Sequence, residues 1–313
     1  MVSASFSHII GQSQAVELLT QAIHTHKIAP AYLFAGAPGV GRKLVAQAFL
    51  TTLLTVELGK GAAGRTLENH PDFLWVEPTY NQQGKFLTAA ELLANGSELP
   101  KSRPQVRLEQ VRSISRFLSQ SPLELSRLAV VIEGAETMGE SAANGLLKTL
   151  EEPGRGILIL LAPSKEVLLP TIVSRCQLVS LHRLSTSDLQ TVLHNVGQSE
   201  ILAHPDILQM AQGSPGKAIE CWERLSHLPD GLAQLWETPF ATPRQCLEAA
   251  QNIDKALDVE TQLWLLDYFQ YRYWGLRRNP AVLKVLEKAK TQLLAYAQPR
   301  LVWEVTLLSL WER

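Results

Sequence analysis

Two apolar runs, Leu128–Ile132 (LAVVI) and Ile157–Leu161 (ILILL), constrain the fold of this chain more than any other feature. Neither alternates apolar with polar residues, so neither suits a strand with one face in water. Unbroken runs of this kind are expected of strands covered on both faces, the arrangement of a parallel sheet with helices above and below. The flanking residues supply those helices. Gln12–His24 sets Ala15, Leu18, Leu19, Ala22 and Ile23 on one helical stripe, and Lys43–Leu54 and Gln105–Gln120 also read as helices. Ser141–Leu150 reads as another, stopping before Pro153 and Gly154. AYLFAG (Ala31–Gly36) and DFLWVEP read as further strands. Residues 1–182 are therefore expected to form a doubly wound α/β domain.

After Leu181 the strand-like runs stop. Helical periodicity, broken at Gly197, Pro205, Gly213–Gly216 and Pro229, predicts a small helical domain over 183–228. Leu- and Trp-rich helices broken at Pro239, Pro243, Pro280 and Pro299 predict a second helical domain over 229–313. Residues 81–104 are polar, carry Gly84, Gly96, Pro100 and Pro104, and read as a long surface loop.

Composition narrows the class. With 46% hydrophobic and 19% charged residues, the 313-residue chain is globular, which excludes a disordered or fibrous protein. Its 29 Lys+Arg against 30 Asp+Glu give a net charge of −1, so no global basic field advertises nucleic-acid binding. Cys176, Cys221 and Cys246 lie far apart with no CxxC pair, which excludes a local zinc knuckle and argues against a disulfide framework. No apolar stretch reaches the roughly 20 residues of a membrane span, and the N-terminus lacks a signal-peptide pattern. A cytoplasmic protein without a membrane partner is expected.

GAPGVGRK (Gly36–Lys43) lies where a strand meets a helix, the context of a phosphate-binding loop. Gly36, Gly39 and Gly41 would let backbone N–H groups converge on an anion at the helix N-terminus. The motif ordinarily closes with Gly-Lys and then Ser or Thr, whereas here it closes with Gly41-Arg42-Lys43. Arg42 takes the lysine slot with a planar fork in place of a point charge. Lys43 takes the slot whose hydroxyl would bind Mg²⁺, and its ammonium would repel a metal. In LAVVIEGAETM, Glu133 stands where an Asp would hold the metal through water, and Gly134 where a Glu would activate the attacking water. The next strand ends in Ala162 and Pro163, in place of a polar nucleotide sensor. Four lesions at four functions predict no hydrolysis at this site. Binding of ATP without hydrolysis is left open by the surviving glycine-loop amides, and no cofactor is required.

These residues, in this order, resemble the clamp-loader branch of the AAA+ family. The resemblance is carried by IIGQSQAVELLTQAI, AYLFAGAPGVGR, HPDF, VVIEGAETM, NGLLKTLEEP, PTIVSRCQ and GSPGKAIE, from Ile9 to Glu220. It implies a RecA-like α/β AAA+ domain, a small helical lid and an all-α C-terminal collar that mediates oligomerisation. It also implies membership of a heteropentamer with ATP-hydrolysing gamma/tau subunits and a delta subunit, acting on a sliding clamp and primer-template DNA. In the family the arginine of the Ser-Arg-Cys motif, here Ser174, Arg175 and Cys176, reaches a neighbouring subunit's ATP. Many relatives carry a four-cysteine zinc module after the phosphate-loop helix; Leu53–His70 contains no cysteine, so no metal is expected.

The remaining residues read more simply. Cys176 is a small packing residue, since nothing in the sequence supplies an activating base. Lys217 is a solvated lysine at a helix start. The tryptophans at 222, 236, 264, 274, 303 and 311 fall at helical spacing among leucines, which suits core and subunit-interface packing better than base stacking. Tyr271–Arg278, which mixes aromatics with three arginines, reads as an amphipathic collar helix, with nucleic-acid contact as the alternative. His24 and His26 lack ligand-spaced partners. The expected role is a non-hydrolysing subunit that donates Arg175 in trans. The alternatives are an active ATPase motor, against which Gly134 counts, and an independent nucleic-acid-binding module, against which the near-zero charge counts.

Overall fold

In the computed structural model, the described residues are 6–59, 67, 70–100, 102–152, 154–229, 231–232, 240–277 and 280–311, with residues 275–277 described by backbone alone. Pro153, Trp236, Pro239 and Arg278 lie outside them. The chain divides into two compact units, 1–189 and 190–313.

The first unit is built on β1 (Ala31–Ala35), β2 (Phe73–Val76), β5 (Leu128–Ile132), β6 (Gly156–Ala162) and β7 (Gln177–Ser180). They form one sheet in the order β2-β5-β6-β1-β7, with every pairing parallel. β5 and β6 are buried along their whole length, as their unbroken apolar sequence requires. The residues of β1, β5 and β6 alternate between two cores. Leu33, Val130, Leu158 and Leu160 face one side, against α4 (Leu108–Leu118) and α5 (Glu140–Glu151). Tyr32, Phe34, Val131 and Ile159 face the other, against α1 (Ser13–His24) and α2 (Arg42–Leu58). The expected α/β domain with a RecA-like parallel sheet is thus observed. The edge strand β7 and the short helix α6 (Pro170–Val173) before it were not read from the sequence, because QLVS buries only Val179 and offers no apolar run.

Residues 81–104 correct the sequence reading. They are not one long loop: β3 (Tyr80–Gln82) and β4 (Lys85–Leu87) pair antiparallel, and α3 (Ala89–Ala94) follows. Gln83 and Gly84 both take positive φ, 52° and 84°, the pattern of the two-residue turn that matches strand twist. Thr88 and Glu91 then close a capping box at the start of α3. The insertion is anchored by the buried Tyr80 and Leu92.

The second unit is helical. α7 (Thr186–Asn195) spans the division, followed by α8 (Pro205–Ala211), α9 (Pro215–Ser226), α10 (Pro243–Ala256), α11 (Val259–Arg277), α12 (Pro280–Leu294) and α13 (Pro299–Trp311). Proline opens five of these helices at their first turn, where its missing N–H costs nothing. Trp303 is fully buried against Phe269, and its indole N–H donates to Gln262 Oε1 at 2.8 Å. Trp264 is buried too, whereas Trp274 and Trp311 are exposed.

Candidate functional site at the degenerate phosphate loop

The loop leaves β1 at Ala35, turns through Gly39 and Gly41 (φ 77° and 100°), and enters α2 at Arg42. Gly36 has no room for a side chain, since a Cβ there would lie 2.7 Å from the Leu181 carbonyl oxygen. The strand-to-helix geometry of a phosphate loop is therefore retained.

Sheet register supplies the acids. β2 pairs with β5 so that Val76 lies beside Ile132, and the Glu133 N–H donates to the Val76 carbonyl at 2.8 Å. Glu77 and Glu133 consequently leave adjacent strand ends together. Gln110 Nε2, in the first turn of α4, donates to the Glu77 carbonyl at 2.9 Å and fixes that end. Two carboxylates so placed repel unless a cation stands between them.

Lys43 provides it. Its Nζ lies 2.7 Å from Glu133 Oε1 and 3.1 Å from Glu77 Oε1, and 5.2 Å from the centre of the Trp75 ring. Trp75 Nε1 also donates to Glu133 Oε1, at 3.0 Å. Burial works to lower the lysine's pKa, but hydrogen bonds and charge from Glu133 and Glu77 outweigh it, so the ammonium is held above its ordinary value. Arg42 behaves oppositely. Burial pulls its guanidinium down, with the charges of Glu136 and Glu133 opposing, and its buried Nη1 makes no hydrogen bond. This set does not suit a magnesium ion, because the ammonium already sits against Oε1 of both Glu133 and Glu77 and would repel a second cation there.

Gly134 follows at φ 58°, and a Cβ on it would meet Pro78 Cγ at 2.8 Å. The position expected of a catalytic glutamate is closed to one by both backbone and space.

The structure therefore brings Arg42, Lys43 and Glu133 together and adds Glu77 and Trp75, which sequence reading missed. Trp75 and Glu77 lie in the WVEP segment, whose sequence signals only a strand. Ser174, Arg175 and Cys176 form a separate cluster. They precede β7, whose first residue pairs with Tyr32 at the start of β1, so they sit at the end of the strands opposite the loop. Arg175 Nη2 donates to Glu151 Oε1 at 2.8 Å, and Nη1 to the Thr171 carbonyl at 2.9 Å. Cys176 packs against the sheet core, and burial pushes its thiol up to about 11, which makes it a poor nucleophile at neutral pH. Lys217 is exposed at the start of α9, where its N–H is capped by Ser214 Oγ. Among the described residues no three His, Cys, Asp or Glu side chains cluster as metal ligands, and no helix is long and apolar enough to cross a membrane.

The family model for the DNA polymerase III delta subunit matches residues 11–185, more than half of the chain. The model for the cyanobacterial DNA polymerase III delta prime C-terminal domain matches 187–310. This chain belongs to the DNA polymerase III delta-prime family. DNA polymerase III subunit delta' of Pseudomonas aeruginosa is 30% identical over a stretch covering 62% of this chain and 55% of that protein. The Bacillus subtilis subunit delta' is 27% identical over 57% of this chain and 50% of its own length. The chain thus spans about half the length of the delta' relatives it matches. Subunit tau of Escherichia coli is also similar, at 28% identity over 72% of this chain and 34% of tau. A gamma subunit-related protein of Thermotoga maritima shares the fold, with a TM-score of 0.57 at 16% identity, covering 96% of this chain and 99% of that one. Within this family, the chain has an α/β unit on a five-stranded parallel sheet followed by helices.

Proposed function

We propose that this chain is a non-hydrolysing subunit of a DNA polymerase III clamp loader, and that it supplies Arg175 in trans to a neighbour's ATP. The observation that carries the first half is the Lys43 ammonium held between Glu133 and Glu77, at 2.7 and 3.1 Å. A cation built into the chain meets the charge requirement that a nucleotide-bound metal would otherwise meet, and it cannot exchange. Gly134 offers no base, so neither metal activation nor water activation is available here. No intrinsic catalysis, no required cofactor and no zinc follow from this reading. ATP could bind the loop only without the usual metal contacts.

The trans role rests on Arg175 lying just before the edge strand β7, at the end of the strands opposite the loop, with its side chain 37% exposed. In that role the chain is a member of a heteropentamer with gamma/tau and delta subunits. It acts on the sliding clamp and primer-template DNA through the complex, in the cytoplasm. Its parts are an AAA+ domain over 1–182, a lid over 183–228 and an oligomerising collar over 229–313. The test is clamp- and DNA-stimulated ATPase of complexes reconstituted with wild-type or Arg175→Ala chain, with assembly checked by size exclusion. The variant complex should assemble and hydrolyse ATP more slowly. The loss should stay below the about 10³–10⁵ attributed to a single arginine finger, because other interfaces keep theirs. Unchanged ATPase in a fully assembled complex would remove the trans role.

A further inference from the structure

The Arg175 guanidinium is held in place before any partner arrives. The Thr171 carbonyl accepts from Nη1 and Glu151 accepts from Nη2, while the Arg175 backbone N–H donates to the Ile172 carbonyl at 3.1 Å. A guanidinium carries five N–H donors, so two anchoring bonds leave three for another acceptor. Glu151 is the last residue of α5 and Glu152 its C-cap. Carboxylates there sit at the negative end of the helix dipole, where the helix itself disfavours them and a neighbouring cation is favoured. The pair is too exposed, at 37% and 53%, to contribute much to folding. Its main effect is to remove rotational freedom from a long side chain, a cost that would otherwise fall on binding.

We propose that Glu151 is a positioning residue for Arg175. It presents the free edge of the guanidinium to phosphoryl oxygens of a nucleotide on an adjacent subunit. The carboxylate orients the fork without consuming it, and a side-chain amide at the same place keeps an acceptor oxygen for Nη2. This inference rests on the trans role proposed above, and the test separates the two. Complexes reconstituted with Glu151→Ala, Glu151→Gln, Arg175→Ala and the Glu151→Ala/Arg175→Ala pair are compared in stimulated ATPase at saturating ATP, with assembly and thermal midpoint checked for each.

Glu151→Ala should lower turnover by about threefold to tenfold at the interface it serves. Glu151→Gln should retain most of the activity, and the double variant should be no slower than Arg175→Ala alone, because Glu151 acts only through the arginine. If Arg175→Ala slows the complex while Glu151→Ala does not, or speeds it, the positioning role is wrong and the trans role stands. Independent, multiplying losses in the double variant would likewise overturn positioning. Normal turnover with Arg175→Ala would overturn both.

Discussion

Gly134 takes a left-handed φ of 58° with Pro78 Cγ waiting 2.8 Å from any added Cβ. Gly134→Glu should therefore destabilise the fold by about 1–3 kcal/mol and leave ATP turnover at background, measured by urea denaturation and an ATPase assay. The neighbouring cation makes a second prediction. Arg42→Lys with Lys43→Thr rebuilds the loop's usual ending, yet it should not restore turnover while position 134 lacks a base. Lys43→Thr alone should cost less than about 1 kcal/mol, since its ion pairs are half-exposed. The pH dependence has a definite sign. The folded pKa of Lys43 lies above 10.5, so its contribution is complete below that value and is lost as pH rises through the folded pKa. The stability gap between wild type and Lys43→Thr should stay flat from about pH 7 to 9 and shrink only in strongly alkaline solution. At this scale the sequence revealed the substitutions and the loss of hydrolysis they imply, but not the partners of the Lys43 ammonium. Arg42, Lys43, Glu133 and Gly134 were all legible, whereas Glu77 became relevant only through strand register, 34 residues from its lysine.

Elements were legible where burial was two-sided and obscure where it was local. β5 and β6 announce themselves because both faces are covered, while the β3–β4 hairpin turns on Gln-Gly, a weaker signal than Asn-Gly, and hides in polar residues. The Thr88-x-x-Glu91 capping box is a readable cue for the start of α3. The turn before β5 shows an anchor that no local pattern discloses. Asp72 is fully buried and accepts the backbone N–H groups of Leu123, Glu124 and Leu125 at 2.7 to 2.8 Å. Asp72→Ala would strand three donors, and chemical denaturation should show a loss of about 3–5 kcal/mol. In the helical unit, α13 buries Val302, Trp303 and Leu307 yet leaves Leu301, Val305 and Trp311 exposed. A helix apolar on both faces calls for a partner. If the collar role holds, Leu301→Asp with Val305→Asp should abolish assembly on size exclusion while leaving helical circular dichroism unchanged.

Across the whole molecule, a parallel sheet leads into a glycine-rich turn and a helix that sets Lys43 between Glu133 and Glu77, the arrangement on which the proposed non-hydrolysing role rests. The parallel sheet, the glycine-rich strand-to-helix turn and the exposed Arg175 are all present. If Lys43 stands in for the metal and Gly134 leaves no base, the isolated chain turns over no ATP. The most direct measurement is steady-state ATP turnover by the isolated chain across a magnesium titration. Phosphate release should be indistinguishable from a protein-free blank at every magnesium concentration. Saturable turnover that rises with magnesium would contradict the proposed role.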